Sequence, residues 1–473
     1  MHIDKTNDIT RRVMMRRALG LAMTGTALPL AMNLAAFGEA AAFDNSDYKA
    51  LVCVFLYGGS DHNNTLIPYD LDNYDRYHAI RGGGPGRTAG HIAVARADLS
   101  ATALTPLASQ TLTDDLRYAL NPQMTGLKSL FDAGKAAIQL NVGPLMTPLT
   151  LAQFNSPNRV LYPLPPKLFS HNDQQSVWQS LASEGSTIGW GGRIGDLAMS
   201  SNNRSILTCI SAAGNAVFVS GDQALQYQIS PNGAVAINPL QTGLYGSQAA
   251  GDALRTLITR TSSHVLEDEF TRVTRRSIEM EGIVNAALSP VSLNTAFPAN
   301  NSLAAQMRIV ARLIGARNTL GAKRQVFFVS LGGFDNHDLL MENHPALMRQ
   351  VSDAMTAFYN ATVELGVANK VTAFTASDFG RTLSSNGNGS DHGWGSHHFV
   401  VGGAVNGGRY FGTAPHISII SDDQVGQGRL LPSTSVDQMG ATLARWFGVS
   451  NSELPTVLPN IGRFGSSNLG YFS

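Results

Sequence analysis

The sequence predicts an α/β protein with a mostly parallel central sheet and helices on both faces. Continuous apolar runs without polar alternation occur at residues 50–57, 325–331 and 371–376, and such runs are typical of strands covered on both faces. The last two flank a helical pattern at 345–365, which makes a βαβ unit. A glycine-rich polar turn follows each of the three strands, and ligands of open α/β sheets bind at such strand ends.

Length and composition indicate a globular protein with a sizeable core. The chain has 473 residues, of which 43% are apolar and 14% are charged, and it contains 47 glycines. Lys and Arg total 34, and so do Asp and Glu, so the formal net charge is zero and does not favour binding to a polyanion. We therefore expect no nucleic-acid partner.

Residues 1–42 resemble an export signal. Arg11-Arg12 and Arg16-Arg17 precede an uncharged apolar run at 18–37, which small residues follow. This pattern predicts a twin-arginine-type signal and a periplasmic or secreted protein. A membrane anchor is the alternative, since about 20 residues are enough to span a bilayer. The Gly, Thr, Pro and Asn content of the run favours cleavage, so no stable anchor is expected.

The remaining residues, 43–473, are predicted to form one domain. The first strand ends at Gly58-Gly59-Ser60-Asp61, which places Asp61 at its carboxyl end. A second strand is predicted at 136–142, and a proline-rich loop at 144–166 follows it. Ser170 then suits the N-cap of a helix, because a polar turn and helically spaced apolar residues come after it.

The segment at about 187–250 predicts a small β-rich insertion. Its apolar runs at 206–210 and 216–220 are short and are separated by Gly and Asn. Residues 251–320 have a helical period and predict two or three surface helices, and a final helix is predicted at 435–447.

The two cysteines, Cys53 and Cys209, lie in apolar runs without metal-binding spacing. Buried thiols are the default expectation. In an exported protein they could instead form a disulfide if their strands are neighbours.

Acidic side chains follow three of the predicted strands. They are Asp61, Asp335 and Asp378, and imidazoles lie nearby at His337 and His392. Carboxylates that face one dry pocket repel each other unless cations neutralise them. The pattern therefore predicts one or two divalent metal ions (Zn, Mn, Mg or Ca), which is suitable chemistry for cleaving phosphate and sulfate esters.

Six motifs occur in an order that resembles the DUF1501 family of exported bacterial proteins, which belongs to the alkaline phosphatase and sulfatase-like superfamily. They are Gly-Gly-Ser-Asp-His-Asn-Asn, Ser-His-Asn-Asp-Gln-Gln, Gly-Trp-Gly-Gly-Arg, Gly-Gly-Phe-Asp-Asn-His, Ser-Asp-Phe-Gly-Arg-Thr and Ser-Asp-His-Gly-Trp-Gly. The resemblance extends from about residue 48 to 465. It implies an alkaline-phosphatase-like fold.

The resemblance also implies roles for individual residues. In the superfamily, a Ser or Thr at a helix start attacks the ester beside two metals. Carried over by position, Ser170 is the nucleophile and binds one metal together with Asp61 and Asp378. The second metal is held by Asp335, His337 and His392. In this chain Phe379 follows Asp378, whereas superfamily members commonly have Asp-His at that point.

Three residues near the predicted site have both a catalytic and a structural interpretation. Ser170 is either the nucleophile or only a helix cap. His171 either contacts substrate or packs in the core. Arg381 either binds a phosphate or sulfate oxygen bidentately or forms a structural salt bridge.

Three more residues are candidate ligands or supports for ligands. Asp391 either binds the metal or orients a ligand histidine from behind. His397 and His398 are adjacent and point to opposite sides if the chain is extended, so at most one of them is expected to reach the site.

These observations lead to two functional hypotheses. The first is an exported metal-dependent hydrolase of phosphate or sulfate esters, with a serine nucleophile and a small-molecule or glycan ester as substrate. The alternative is a non-catalytic periplasmic binding or assembly protein that retains the sulfatase-like fold and has a periplasmic protein partner.

Overall fold

A nine-stranded sheet forms the centre of the protein. The structure is a computed structural model that describes residues 43–473, so the predicted export signal at 1–42 lies outside the described residues. The strands, including a separate antiparallel pair formed by β2 and β3, are β1 Lys49–Leu56, β2 Leu66–Pro68, β3 Tyr118–Leu120, β4 Ala136–Gly143, β5 Cys209–Ser211, β6 Tyr227–Gln228, β7 Arg324–Leu331, β8 Val371–Ser377, β9 Ser396–Gly402, β10 Tyr410–Phe411 and β11 Thr434–Ser435.

The strand order of the main sheet is β10-β4-β9-β8-β1-β7-β5-β6, and β11 also pairs with β4. Strand β1 is central and pairs in parallel with β7 on one side and β8 on the other. Strand β9 runs antiparallel to both of its neighbours, β4 and β8, whereas the other pairs in this sheet are parallel. The predicted mostly parallel sheet is thus confirmed.

Helices pack on both faces of this sheet, as predicted. They are α1 His62–Thr65, α2 Leu71–Ile80, α3 Thr125–Asp132, α4 Leu151–Asn155, α5 His171–Ser180, α6 Trp190–Ala198, α7 Asn238–Thr242, α8 Gln248–Thr259, α9 Val265–Leu288, α10 Ser302–Gly315, α11 Arg317–Leu320, α12 Leu340–Glu364, α13 Val436–Phe447 and α14 Leu454–Val457.

Alternating side chains of β1 show how the two faces are filled. Val52 and Val54 belong to a core that includes residues of α3, α10 and α12. Leu51 and Phe55 point the other way, into a core that includes residues of α6 and α13. Both faces of the strand are apolar because both are covered, which explains the absence of polar alternation in its sequence.

The segment at 187–250 does not form a sheet of its own. Strands β5 and β6 extend the main sheet beside β7. The apolar run at 216–220, predicted as a strand, contains a 3₁₀ turn at Val217–Val219, and Gly189 to Arg193 begin helix α6. These glycines allow close packing, because a Cβ on Gly192 would lie 2.0 Å from the carbonyl oxygen of Ser220.

The predicted surface helices of residues 251–320 differ in burial. Helix α10 is largely buried, with Leu303, Met307 and Val310 in the core, so it is not a surface helix. Helix α9 is largely exposed in its first half. No helix within residues 43–473 has both the length and the apolar character needed to cross a bilayer.

The two cysteines are free thiols on strands that are not neighbours. Cys53 on β1 pairs with Phe328 of β7, and Cys209 on β5 pairs with Val326 of the same strand. Strand β7 therefore lies between them. Both thiols are buried, and burial raises their pKa values, so they pack as small apolar groups.

Candidate metal centre

Chain segments from three parts of the sequence meet at the carboxyl ends of β1, β7 and β8. His171 begins α5, Asp335 and His337 follow β7, and His392 lies in the loop before β9. One imidazole nitrogen each from His171 and His392 and one carboxylate oxygen of Asp335 all lie within 4.8 Å of one another.

Each of the three histidines is fixed by a hydrogen bond at Nδ1. The pairs are His171 with Asp378 Oδ2 at 2.7 Å, His337 with Asp391 Oδ1 at 3.3 Å, and His392 with the Phe169 carbonyl oxygen at 2.7 Å. Carbonyl and ionised carboxylate oxygens only accept hydrogen bonds, so each Nδ1 carries the proton. In the neutral ring, Nε2 is then left with a free lone pair.

The three Nε2 atoms all face Asp335. Those of His337 and His392 lie 3.1 and 3.2 Å from its Oδ1, and that of His171 lies 3.4 Å from its Oδ2. The Nε2 atoms of His337 and His392 are only 2.9 Å apart. Two lone pairs at this distance repel each other unless a proton or a metal cation lies between them. Three imidazole nitrogens and one carboxylate also form a chemically suitable ligand set for a transition metal.

Arg381 holds the carboxylate of Asp335 in place. Its Nη1 donates to Asp335 Oδ1 at 2.9 Å and to the Gly58 carbonyl at 3.0 Å, and its Nε donates to the Ser390 carbonyl at 3.1 Å. Partial burial favours a higher pKa for Asp335, but the hydrogen bond and charge of Arg381 outweigh it, and the pKa is lowered. Arg381 is fully buried, which fits the structural salt bridge considered above.

Asp378 supports His171 from behind. Besides His171, its Oδ2 accepts from Gln175 Nε2 at 2.8 Å and from the Gly58 backbone N–H at 3.1 Å, and the residue is fully buried. The hydrogen bond to Asp378 raises the pKa of His171 and makes its imidazole a stronger base. Gln175 lies one helical turn after His171, so both are on one face of α5, and this spacing is the signal in the sequence that could have identified Gln175 as part of the site.

Burial has the opposite effect on His392, because the charged ring is poorly solvated there and its pKa is lowered. A second contact fixes the backbone of this residue, since Arg429 Nε donates to the His392 carbonyl at 2.7 Å. His392 is thereby held neutral and oriented, as a metal ligand must be.

Asp61 has a different partner. Its carboxylate forms an ion pair with Arg81, and both side chains are buried. Its Oδ1 also accepts from the Asn63 backbone N–H at 3.2 Å, which caps α1. Asp61 is therefore not part of the histidine cluster, which consists of His171, Asp335, His337 and His392. Within residues 43–473 no hydrogen bond joins Asp61, Asp378 and Ser170: they contact Arg81, His171 and Asp173, respectively, and Asp378 Oδ1 has no partner there.

Ser170 occupies the N-cap position of α5 without capping it. Its hydroxyl donates to Asp173 Oδ2 at 2.9 Å and accepts no hydrogen bond from a helix N–H. The preceding residue, Phe169, has a φ of +72°, which turns its carbonyl toward His392. Ser170 thus directly precedes His171 in the sequence, and its hydroxyl is hydrogen-bonded to the carboxylate of Asp173.

His397 and His398 lie on β9 and point to opposite sides, as expected for an extended segment. His397 Nδ1 accepts from the Asn141 N–H at 3.0 Å, and His398 Nδ1 lies 3.2 Å from Thr375 Oγ1. Both rings are buried and contact the residues just named, and neither is part of the histidine cluster.

Residues 48–455 match the family described as "Protein of unknown function (DUF1501)". The protein is a member of the DUF1501 family. This assignment agrees with the order of the six motifs. No curated protein matches the sequence of this DUF1501 protein.

Several solved structures are similar to this DUF1501 protein at low identity. Ps i-CgsB, solved with k-i-k-neocarrahexaose, is 10% identical with a TM-score of 0.34, and the match covers 88% of this chain and 77% of that one. The PsFucS1 sulfatase from Pseudoalteromonas sp. is 10% identical with a TM-score of 0.34 and coverages of 90% and 70%. The lipoteichoic acid synthase LtaP from Listeria monocytogenes is 8% identical with a TM-score of 0.34 and coverages of 86% and 74%. Matches at this level assign no activity.

Proposed function

We propose that this DUF1501 protein is an exported metal-dependent hydrolase of phosphate or sulfate esters, whose metal is held by His171, Asp335, His337 and His392. The arrangement of the three histidines carries this proposal. Each Nδ1 is bound to an acceptor, and each Nε2 faces the same carboxylate. Histidines held in this way from behind are typical of metal ligands.

The donor set favours some metals over others. Three imidazoles and one carboxylate suit Zn²⁺ or Mn²⁺ better than Ca²⁺ or Mg²⁺, which prefer oxygen ligands. When bound, such an ion polarises an ester oxygen and stabilises negative charge that develops on it. Only the carboxylate of Asp335 would contact the ion directly, since those of Asp378 and Asp391 lie behind His171 and His337, so the open side of the ion would present positive charge to an anionic group.

The site is accessible from solvent. The side chains of Asp335 and His337 are 45% and 43% exposed, whereas those of His171 and His392 are more enclosed. A bulky ester can therefore approach from the side of Asp335 and His337. This openness is compatible with either a small-molecule or a glycan ester.

Ser170 is the proposed nucleophile. Its hydroxyl proton passes to Asp173, to which it is already hydrogen-bonded, as Oγ forms a bond to phosphorus or sulfur. The bond to the ester oxygen breaks, and the departing oxygen takes a proton from water. The resulting hydroxide attacks the seryl ester and stays on the released phosphate or sulfate, while Oγ takes its proton back from Asp173, which restores the serine.

Metal analysis and hydrolysis assays of three variants test the proposal. Wild type should contain about one Zn²⁺ or Mn²⁺ per chain and cleave aryl phosphates or aryl sulfates. His392→Ala should lose both metal and turnover, and Ser170→Ala should keep the metal but lose turnover. The control is His416→Ala, since His416 is a half-exposed histidine that pairs with Asp423 in another loop.

Each result has a distinct meaning. A wild-type protein that binds no metal at micromolar free Zn²⁺ or Mn²⁺ contradicts the metal site. Equal turnover by wild type and Ser170→Ala shows that Ser170 is not the nucleophile.

The second candidate is a non-catalytic periplasmic binding or assembly protein. The pairing of Asp61 with Arg81 favours it, because this ion pair engages a carboxylate that the two-metal arrangement requires. A stoichiometric partner recovered from periplasm, together with absence of turnover on a broad ester panel, would support this function. Turnover by the purified protein alone would count against it.

Export itself is tested separately. The twin-arginine-type signal at 1–42 predicts that a fusion of these residues to a reporter reaches the periplasm. Replacing the arginine pairs at 11–12 and 16–17 with lysines should retain the reporter in the cytoplasm.

A further inference from the structure

The first half of helix α9 exposes an apolar stripe. Its second half packs on the core through Met280, Val284 and Leu288. In its first half, Leu266 and Phe270 are 75% and 66% exposed, and Val273 is 48% exposed. These three residues are spaced i, i+4 and i+7, so they form one continuous stripe along the helix.

Helix α8 extends this apolar surface. A groove of about 410 Å³ lies between the two helices, with Leu257 of α8 on one side and Leu266 and Phe270 on the other. Leu257 is 56% exposed. Apolar residues clustered in this way on a surface mark an interaction site more often than isolated ones do.

Charged residues beside the stripe identify the partner. Glu269 and Arg276 are exposed, lie seven residues apart and occupy the same edge of the stripe. If a second α9 packs antiparallel with Phe270 opposite its Val273, Leu266 lies opposite its Ser277. Glu269 of each copy then faces Arg276 of the other, so the same favourable ion pair forms twice. The surface is therefore complementary to itself.

Contacts within the chain leave these groups available. Glu269 has a surface salt bridge with Arg272 at 3.5 Å, but both side chains are more than half exposed, and such pairs contribute little to stability. Arg276 is exposed and is free to meet a carboxylate of another molecule.

We propose that two copies of this protein associate through antiparallel pairing of their α9 helices, with the α8 groove at the edge of the interface. The interface is two-fold symmetric, because each copy contributes the same stripe and the same two charges. Its core consists of two Phe270–Val273 layers.

Sedimentation velocity and light scattering of the mature chain test the association. Wild type should form a concentration-dependent dimer, and Phe270→Asp should be monomeric, because the new charge lies at the centre of the interface. Phe270 is exposed, so the variant should keep the wild-type melting temperature when both are measured at concentrations at which wild type is also monomeric. The matched control is Ile420→Asp, which alters an 89% exposed apolar residue in a loop outside α8 and α9 and should leave the dimer unchanged.

Two charge variants test the antiparallel register. Glu269→Arg places like charges opposite each other in a pair of identical copies, and Arg276→Glu does the same with the opposite sign. Each should weaken self-association about tenfold. Mixing the two variants should restore dimers, since both facing pairs are then of opposite charge.

Three outcomes would overturn the proposal. They are a wild type that is still monomeric at about 1 mM, a dimer that survives Phe270→Asp, and a mixture of charge variants that associates no better than either variant alone.

Discussion

At the scale of single residues, the hydrogen bonds behind the imidazoles determine what the site can bind. Asp378 never reaches solvent, yet it fixes the tautomer and the orientation of His171. The carbonyl of Phe169 does the same for His392. A metal ion would meet rings that are already oriented, which lowers the entropic cost of binding.

Replacing Asp378 with Asn should weaken metal binding. The amide oxygen can still accept from His171, but the negative charge that makes the imidazole a stronger donor is lost. We expect a loss of metal affinity of about tenfold or more, measured by competition with a chelator of known affinity.

Asp391→Asn is the matched control for this variant. Asp391 supports His337 at 3.3 Å, and its side chain is 40% exposed, so solvent screens its charge and a smaller loss is expected. Equal affinities for wild type and Asp378→Asn would show that the charge of Asp378 does not act on the metal site.

The sequence predicted part of this cluster and part of its supports: Asp391 was considered as a support of a ligand histidine, whereas Asp378 was expected to bind the metal itself. Asp335 and His337 follow a strand in a glycine-rich turn, so their position alone indicated a site. His171 remained ambiguous because a histidine at a helix start also occurs in ordinary cores. Arg81 gave no signal, since its pairing with Asp61 depends on how the end of α2 folds back onto the sheet edge.

At the scale of elements, long strands were predictable and short ones were not. Strands β1, β7 and β8 each contain at least seven residues, enough to show a continuous apolar run. Strands β5 and β6 contain three and two residues, and their place in the main sheet comes from the pairing of β5 with β7 and of β6 with β5 rather than from local pattern. The reversed direction of β9 is likewise set by tertiary contacts.

The ion pair that joins the end of α2 to the start of α1 should be important for stability. Arg81→Met leaves the carboxylate of Asp61 buried without its cation, which should destabilise the fold by about 3–5 kcal/mol. Urea denaturation of the metal-free protein measures this loss. Most of the stability should return in the double variant Arg81→Met with Asp61→Asn, because no uncompensated charge remains.

The double variant also tests the metal assignment. It should bind metal as wild type does, because Asp61 is not in the histidine cluster. Loss of metal from a folded double variant would show that Asp61 is a ligand after all.

At the scale of the whole molecule, several histidines are buried in the neutral form. Burial lowers the pKa of His62 and of His398 to about 3 and that of His344 to about 4. Each also has a ring nitrogen without a hydrogen-bond partner among the described residues. Protonation of these rings is therefore strongly coupled to unfolding.

The protein should lose stability in acid. Between about pH 6.5 and the lowered pKa values, the unfolded chain binds protons that the folded chain does not, so the free energy of unfolding falls as pH falls. Burial also lowers the pKa of His397 well below its ordinary value, so four such groups give a slope of up to about 5 kcal/mol per pH unit near pH 5. Chemical denaturation of the metal-free protein between pH 7.5 and 4.5 measures it.

His344→Leu should reduce this slope by about one quarter, because one of the four buried rings is gone. Neither ring nitrogen of His344 has a partner, so the substitution breaks no hydrogen bond. The matched control is His416→Gln, which replaces a half-exposed histidine outside this buried set. A slope for His344→Leu equal to that of wild type would contradict the explanation.

The central position of β1 has a consequence for folding. Lys49 pairs with Arg324 and Ala50 with Val371, so both neighbours of the central strand are synthesised long after it. Contacts so distant along the chain form slowly, because a large loop must close before they contribute. During synthesis, both edges of this apolar strand therefore remain unpaired until most of the polypeptide has been made. Until then, chaperones can bind the strand, and aggregation can start from it.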